Sequence, residues 1–479
     1  MEVAEYHQVT KHTPASVYLS GHTLNWAIQP NPFKQYPDLE PLPLPEPSAS
    51  TQHPATMAIA EQPGEPRPLH ARELSRLLRL AAGVSRVWEG PGGQVLFFRT
   101  YACAGALYPI EVYLACGGID GLDPGLYHFH PLEAALRKLR EGDPRPYIVR
   151  ATGERPSTQA APVSIVLSGI PWRTTWKYRA RGYRHLYWDS GMILANLLAL
   201  ATSGGHAAEV LLGFADREID QLIGVDGRSE MALCIVPVGS DDSLVAPAGA
   251  APGPISPVVA PLSPAEVTYP EVGEAHESSQ LDSPEVARAW QNPRRPDSDS
   301  GRRLTDLCPR AGIEKVILRR GSKRVFEHSP IPLDHLKGIL ERSTTHLSCD
   351  WGPQLTQIAL IANSVDGLEP GAYVFSDDFD LIQRGGLRHA ARFLCLDQDL
   401  GGDAAATLFL LADLEHAFNT LGTRGYRAAQ VEAGITAGRI YLGAYACRLG
   451  ATGLTFFDDE VRKFFRTDAE PMLVVAIGR

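Results

Sequence analysis

Apolar positions along the chain follow two patterns. Residues 110–116, 163–167, 356–362 and 407–411 are short apolar runs of strand length, whereas 189–203 and 431–448 are long Ala/Leu-rich stretches of helical length. The two kinds alternate irregularly. That predicts a mixed α+β chain rather than a regular doubly wound sheet. Each long stretch ends in small residues (Gly204-Gly205; Leu449-Gly450), and a last apolar strand pattern follows at 231–238 or 472–477, closed by Gly239 or Gly478.

The same order of elements thus occurs twice, and short motifs repeat with it. Gly121-Leu122-Asp123-Pro124-Gly125-Leu126-Tyr127 recurs 246 residues on, from Gly367 to Tyr373, and Arg181-Gly182-Tyr183-Arg184 recurs 243 residues on as Arg424-Gly425-Tyr426-Arg427. The 231–238 strand pattern returns as well, its closing Gly239 recurring 239 residues on as Gly478. Matches in one order at nearly constant offset indicate two tandem copies of one domain, far too long for a solenoid repeat.

Boundaries follow from composition. Residues 1–66 are Pro-rich (Leu42-Pro43-Leu44-Pro45-Glu46-Pro47) and are expected to run over the surface as an arm; 67–240 form the first domain and 311–479 the second. Between them, 241–310 have the Pro/Ala/Ser/Asp content of a linker, interrupted by one short helix at Ser283-Pro284-Glu285, an N-cap, proline and acid in the order a helix start prefers.

Overall composition narrows the function. The 479 residues are 44% hydrophobic and 21% charged, with 45 Lys plus Arg against 55 Asp plus Glu. A net charge of -10 argues against a general binder of nucleic acid or anionic membrane. No apolar run reaches the ~20 residues of a membrane span, and Met1-Glu2-Val3-Ala4-Glu5 lacks the order of a signal peptide, so a cytoplasmic protein is expected. Seven scattered cysteines without a Cys-x-x-Cys pair suggest neither a disulfide framework nor a structural metal. His128 and His130 read as strand-end polar residues rather than metal ligands.

Three constellations could carry chemistry. In Arg319-Arg320-Gly321-Ser322-Lys323-Arg324, an extended backbone would put residues 320, 322 and 324 on one face, two guanidinium groups and a hydroxyl suited to a phosphate or an electron-rich ring. The same run also reads as a solvated basic stretch. In Arg99-Thr100-Tyr101-Ala102-Cys103-Ala104-Gly105-Ala106-Leu107-Tyr108-Pro109, small residues let another group approach backbone amides, although a tight strand entry would look alike. Trp176-Lys177-Tyr178 places an amine beside a phenol, a pair that exchanges protons near neutrality if partly desolvated and is otherwise surface decoration.

Comparing the two copies favours the chemical readings. The first copy has Met57-Ala58-Ile59-Ala60 where the second has its basic trio; the second has Cys349-Asp350-Trp351-Gly352-Pro353-Gln354 where the first has its small-residue loop, and Thr420-Leu421 opposite Lys177-Tyr178. Each copy keeps what the other has lost. A pseudo-two-fold pair would therefore gather every intact element in one of its two equivalent interface sites.

The loop Gly105-Ala106-Leu107-Tyr108-Pro109-Ile110-Glu111, the Gly-Leu-Asp-Pro-Gly-Leu-Tyr turn, Trp176-Lys177-Tyr178 with Arg181-Gly182-Tyr183-Arg184, and Tyr6-His7, Pro32-Phe33-Lys34 and Tyr36-Pro37 together resemble the SagB/ThcOx-type dehydrogenases of the nitroreductase superfamily. The resemblance spans nearly the whole chain. It implies an α+β fold, here two tandem nitroreductase-like domains, each a mostly antiparallel central sheet flanked by helices, packed as an intramolecular pseudo-dimer with one FMN per chain at the interface. It further implies that Arg320, Ser322 and Arg324 bind the flavin and its phosphate, and that Ala102, Cys103, Ala104 and Gly105 form the loop from the other half. Ala102 and Cys103 stand where Pro and Ser are usual. Gly453, Leu454 and Thr455 would lie near the reactive edge, Arg99 and Arg479 are further phosphate candidates, and Lys177 and Tyr178 inherit the catalytic candidacy of the azoline-oxidising members.

The expected activity is FMN-dependent oxidation of an azoline ring, or a similar C–N bond, in a peptide or small-molecule substrate, with a cyclodehydratase as a possible partner enzyme and no metal. An NAD(P)H-dependent nitro or quinone reductase, or a flavin-free scaffold of a peptide-modifying complex, would fit the same elements. A further homodimer is left open.

Overall fold

The computed structural model describes residues 1–63, 67–291, 304–307, 311–352 and 354–479. Pro353 and parts of the arm boundary and linker lie outside the described residues. Two six-stranded sheets, antiparallel throughout, carry the fold. The first runs in the order Leu42–Pro43, Ala135–Glu141, Gly125–His130, Ile110–Cys116, Val163–Gly169, Met231–Val238. The second runs Phe379–Arg384, Gly371–Phe375, Thr356–Ala362, Ala406–Ala412, Glu470–Gly478, Gly450–Leu454. All four short apolar runs are strands of these sheets. Five strands correspond in the two orders; each sheet then adds an edge strand of its own.

The long Ala/Leu-rich stretches are the helices Gly182–Gly204 and Gly425–Ala446. Both are buried on nearly every face, as expected of helices apolar all round. They cross at Gly191 and Gly434, where a β-carbon on Gly191 would stand 2.5 Å from the Gly434 α-carbon. One turn on, a β-carbon on Gly438 would stand 2.4 Å from that of Ala195. Both contacts join residues 243 apart, the offset of the Arg-Gly-Tyr-Arg copies. Equivalent residues touching each other lie on the pseudo-two-fold axis, so the chain is an intramolecular pseudo-dimer.

Two sequence expectations need correction. The N-terminal arm is not a surface run. Its helix Val3–Val9 buries Val3, Tyr6 and His7, the helix Ala55–Ala58 lies against both long helices, and Leu42–Pro43 extends the first sheet. Apolar residues ahead of the first proline (Val3, Tyr6) and among the later ones (Phe33, Tyr36, Leu44) dock it. The linker holds the expected helix, Pro284–Trp290 with the Ser283 side chain accepting from Val286 N, and a second one, Pro270–Glu277. Among the described residues, no helix is long and apolar enough to cross a membrane.

Candidate functional site

The helix Pro171–Tyr178 ends at Arg179, whose backbone (φ 53, ψ -146) lies in a region strained for any residue with a side chain. That sharp stop delivers Lys177 and Tyr178 against the small-residue loop. A β-carbon on Gly105 would stand 3.0 Å from the Tyr178 hydroxyl and 3.1 Å from Lys177 Nζ. Gly105 is exposed at φ +63, so a side chain there would be strained by the backbone and would press on the tips of Lys177 and Tyr178. Ala106 (φ 54) and Tyr108 (φ 49) also sit left-handed without being glycine, the kind of strain that collects at functional loops.

The loop is clamped from below by Asp189 on the first long helix. The Cys103 thiol donates to Asp189 Oδ2 at 3.0 Å, and Ala104 N donates to Oδ1 at 3.2 Å. Burial raises the Asp189 carboxyl to about 7 despite those two bonds, and burial beside Asp189 pushes the Cys103 thiol well up. Cys103 is therefore a hydrogen-bonding thiol rather than a nucleophile.

From the second half comes the basic segment. Arg320 does not point freely at a ligand: its guanidinium donates to Thr100 O (3.1 Å), Arg99 O (2.9 Å) and Gly321 O (3.2 Å), stitching the two halves together. Ser322 is exposed and in hydrogen-bonding contact with the Tyr441 hydroxyl, which accepts from Gly453 N at 2.5 Å. Arg324 is exposed and close enough to Lys177 to act on it. Burial first, then Arg324, lowers the Lys177 amine below its usual range, while burial, Cys103 and Asp189 raise the Tyr178 phenol.

Leu454 is buried at the end of the Gly450–Leu454 edge strand, and Thr455 follows it, its hydroxyl accepting from Gln398 Nε2 at 3.0 Å. Two weaker candidates fall away or stand apart. Arg99 is buried, with its guanidinium on Pro32 O (2.7 Å) and over the Phe33 and Tyr108 rings, so it holds the N-terminal arm and is not a phosphate ligand. Arg479 is exposed, and its carbonyl accepts from Glu327 N just beyond Arg324. His128 is buried in the core with Nε2 bonded to Glu111 (2.7 Å), while its Nδ1 has no partner among the described residues.

Asp189, Tyr441 and His185, which stacks on Tyr178, were not singled out from the sequence. A signal for Asp189 existed: 243 residues on stands Glu432, also acidic. Glu432 accepts from Leu355 N, Thr356 N and Trp351 Nε1, so a carboxylate clamps the same loop in both halves.

The pseudo-equivalent site shows what such a pocket accommodates. There Asp350 stands for Ala104 and Trp351 for Gly105, by the 246-residue offset. Trp351 is fully buried, and the Asp350 carboxylate accepts from Leu212 N (3.0 Å) and Gly213 N (2.7 Å) of the other half. Leu211 pairs with Ile235 as Leu454 pairs with Val474, so the amides after Leu454 are the counterparts. Neither Thr455 N nor Phe456 N has an acceptor among the described residues. The second pocket is filled by its own side chains; the first offers small residues, free amides and Arg324. That donor set fits the edge of a flat heterocycle with acceptor oxygens. A separate cavity of about 1120 Å³, lined by Trp172, Asp220 and Glu266 among others, includes none of these residues.

Comparison with known proteins agrees with the repeat. The sequence profile described as Nitroreductase family matches residues 65–240 and 317–479. The chain is 28% identical over 172 residues to MJ1384 of Methanocaldococcus jannaschii, assigned as a nitroreductase, covering 36% of this chain and 81% of that one. It is 28% identical over 142 residues to the microcin B17-processing protein McbC of Escherichia coli, covering 29% of this chain and about half (52%) of McbC. In structure it is similar to an Anabaena variabilis protein assigned as a nitroreductase, with TM-score 0.76, 24% identity, and 100% of this chain and 99% of that one covered.

Proposed function

The chain belongs to the nitroreductase family, and from that premise we propose that it is an FMN-dependent dehydrogenase of the SagB/ThcOx type, oxidising an azoline ring or a similar C–N bond in a peptide. The observation that carries the reading is the asymmetry of the two loops: Trp351 and Asp350 are fully buried in one, while in the other Gly105 is exposed and Ala104 half-buried, with Lys177 Nζ and the Tyr178 hydroxyl against Gly105. One FMN per chain follows. Similarity to a microcin B17-processing protein supports a peptide substrate, and a cyclodehydratase that forms the azoline is the corresponding partner.

FMN, if bound here, would supply a hydride acceptor for the substrate's oxidation. Gly105, Gly453 and the amides of Thr455 and Phe456 would hold its ring, with Ser322 and Arg324 the groups for its polar tail. Arg320 supports the site indirectly, by fixing the backbone at Arg99 and Thr100. The matching proton goes to Lys177 Nζ. Its lowered basicity supplies a fraction of free amine, whereas Tyr178, raised, stays a phenol and donates a hydrogen bond. Arg324 keeps the proton mobile by disfavouring a second positive charge nearby.

The test is purified full-length protein with a thiazoline-containing peptide. Lys177→Ala keeps the flavin spectrum and loses turnover by about 100-fold or more. Loss of bound FMN in that variant, or a colourless wild type that cannot be reconstituted, overturns the reading. Rapid reduction by added NAD(P)H with no azoline turnover would favour the reductase instead.

A further inference from the structure

Beneath the Tyr178 phenol lies the imidazole of His185, the rings stacked with centroids 4.1 Å apart and 14° between planes. Trp188 closes the other side edge-on, with its centroid 4.5 Å from that of His185. His185 is 2% exposed, and neither of its ring nitrogens has a hydrogen-bond partner among the described residues. Burying polar nitrogen unpaired is destabilising, so an apolar side chain of this shape would give a more stable protein. What the stack offers Tyr178 is therefore the flat ring itself rather than its nitrogens.

The chain contains its own control. At an offset of 243 residues, Tyr178 corresponds to Leu421 and His185 to Ala428, while Asp189 corresponds to Glu432. The carboxylate persists in both halves and clamps the same loop in both, so it belongs to the fold. The imidazole is absent from the half that lacks the phenol, so it belongs to the site.

We propose that His185 is a positioning residue: its stacked ring is the platform that holds the Tyr178 phenol against the Gly105 loop beside Lys177. The inference rests on the proton-transfer role given above to the Lys177–Tyr178 pair. A flat ring on the rigid first long helix restricts the phenol's rotation about its side-chain bonds, and small misplacements of a reacting group are costly in rate. Burial, together with Arg181, His12, Arg184 and Lys177, holds the imidazole well below its usual pKa. It therefore adds no charge beside the amine that must accept a proton.

The experiment compares His185→Ala and His185→Phe in the FMN-reconstituted full chain, with 3-fluorotyrosine incorporated and the Tyr178 resonance assigned by Tyr178→Phe. His185→Ala should lower kcat by about tenfold or more, leave KM and FMN content unchanged, and abolish the ring-current shift of the Tyr178 fluorine. His185→Phe should restore kcat and the shift and raise the unfolding midpoint. Wild-type kcat or an unchanged fluorine shift in His185→Ala overturns the platform. A folded but inactive His185→Phe overturns it too, since the nitrogens would then be chemically engaged. The fluorine readout needs no turnover, so it judges the stack even if the azoline reading fails.

Discussion

Arg181 of the first half and Asp458 of the second form a buried ion pair across the pseudo-dimer, with the guanidinium 2.9 Å from Oδ2 and the carboxylate fully buried. Arg184 joins the same carboxylate at 2.9 Å. The mirror image is complete: Arg424 and Arg427 both reach Asp216 at 2.7 Å. The repeated Arg-Gly-Tyr-Arg motif is thus the clasp of the two halves. Removing one partner leaves buried charge unpaired, so Asp458→Asn and Asp216→Asn should each cost about 3–5 kcal/mol in urea unfolding. A loss below about 1 kcal/mol in both would show that the clasp contributes little.

The same pairs set acid stability. Burial would raise both carboxyls, but the arginines outweigh it and hold Asp458 and Asp216 at about 2. Folded pKa values below the unfolded value of about 4 mean that this stability is present above pH ~4 and is lost as pH falls through about 2. Circular dichroism against pH should show unfolding in that window. In Asp458→Asn the acid-dependent loss should shrink.

Asp189 has the opposite sign. With a folded pKa of about 7, the native chain retains a proton that the unfolded chain releases near pH 4, so its contribution falls as pH rises between them. The span corresponds to roughly 4 kcal/mol as an upper figure. Asp189→Asn should therefore be more stable than the parent above pH 7 and similar near pH 4. Equal urea midpoints at pH 8 would contradict the raised carboxyl.

Arg179 stands where the second half has Gly422, and the two have similar positive φ values (53 and 60). Only the glycine adopts that conformation without strain. Arg179→Gly should stabilise the fold by about 1 kcal/mol, read as a higher thermal midpoint. A lower midpoint would mean that the exposed arginine side chain makes an offsetting contact.

Trp351 plugs the decayed pocket. Trp351→Ala should cost about 3–5 kcal/mol as a cavity and leave FMN at one per chain, because Asp350 still engages Leu212 N and Gly213 N. A flavin-to-chain ratio approaching two would show that the plug alone decides occupancy.

Periodicity and repeat offsets are local quantities, and they carried a great deal. The strands, the long helices and the duplication were all legible, because each depends on neighbours in sequence or on matching two stretches of one chain. The linker helix at Ser283 was legible for the same reason: its cap is three residues long. Side-chain partners were not. Arg99 and Arg320 look alike in sequence, yet one guanidinium anchors Pro32 and the other grips the carbonyls of Arg99 and Thr100, 220 residues away. The buried N-terminal helix, the His185 stack and the Asp189 clamp likewise depend on which surfaces close-pack. An unpaired buried group or a tight glycine contact acquires its energy only once distant segments meet; the order of residues sets what can meet, and the packed fold settles what does.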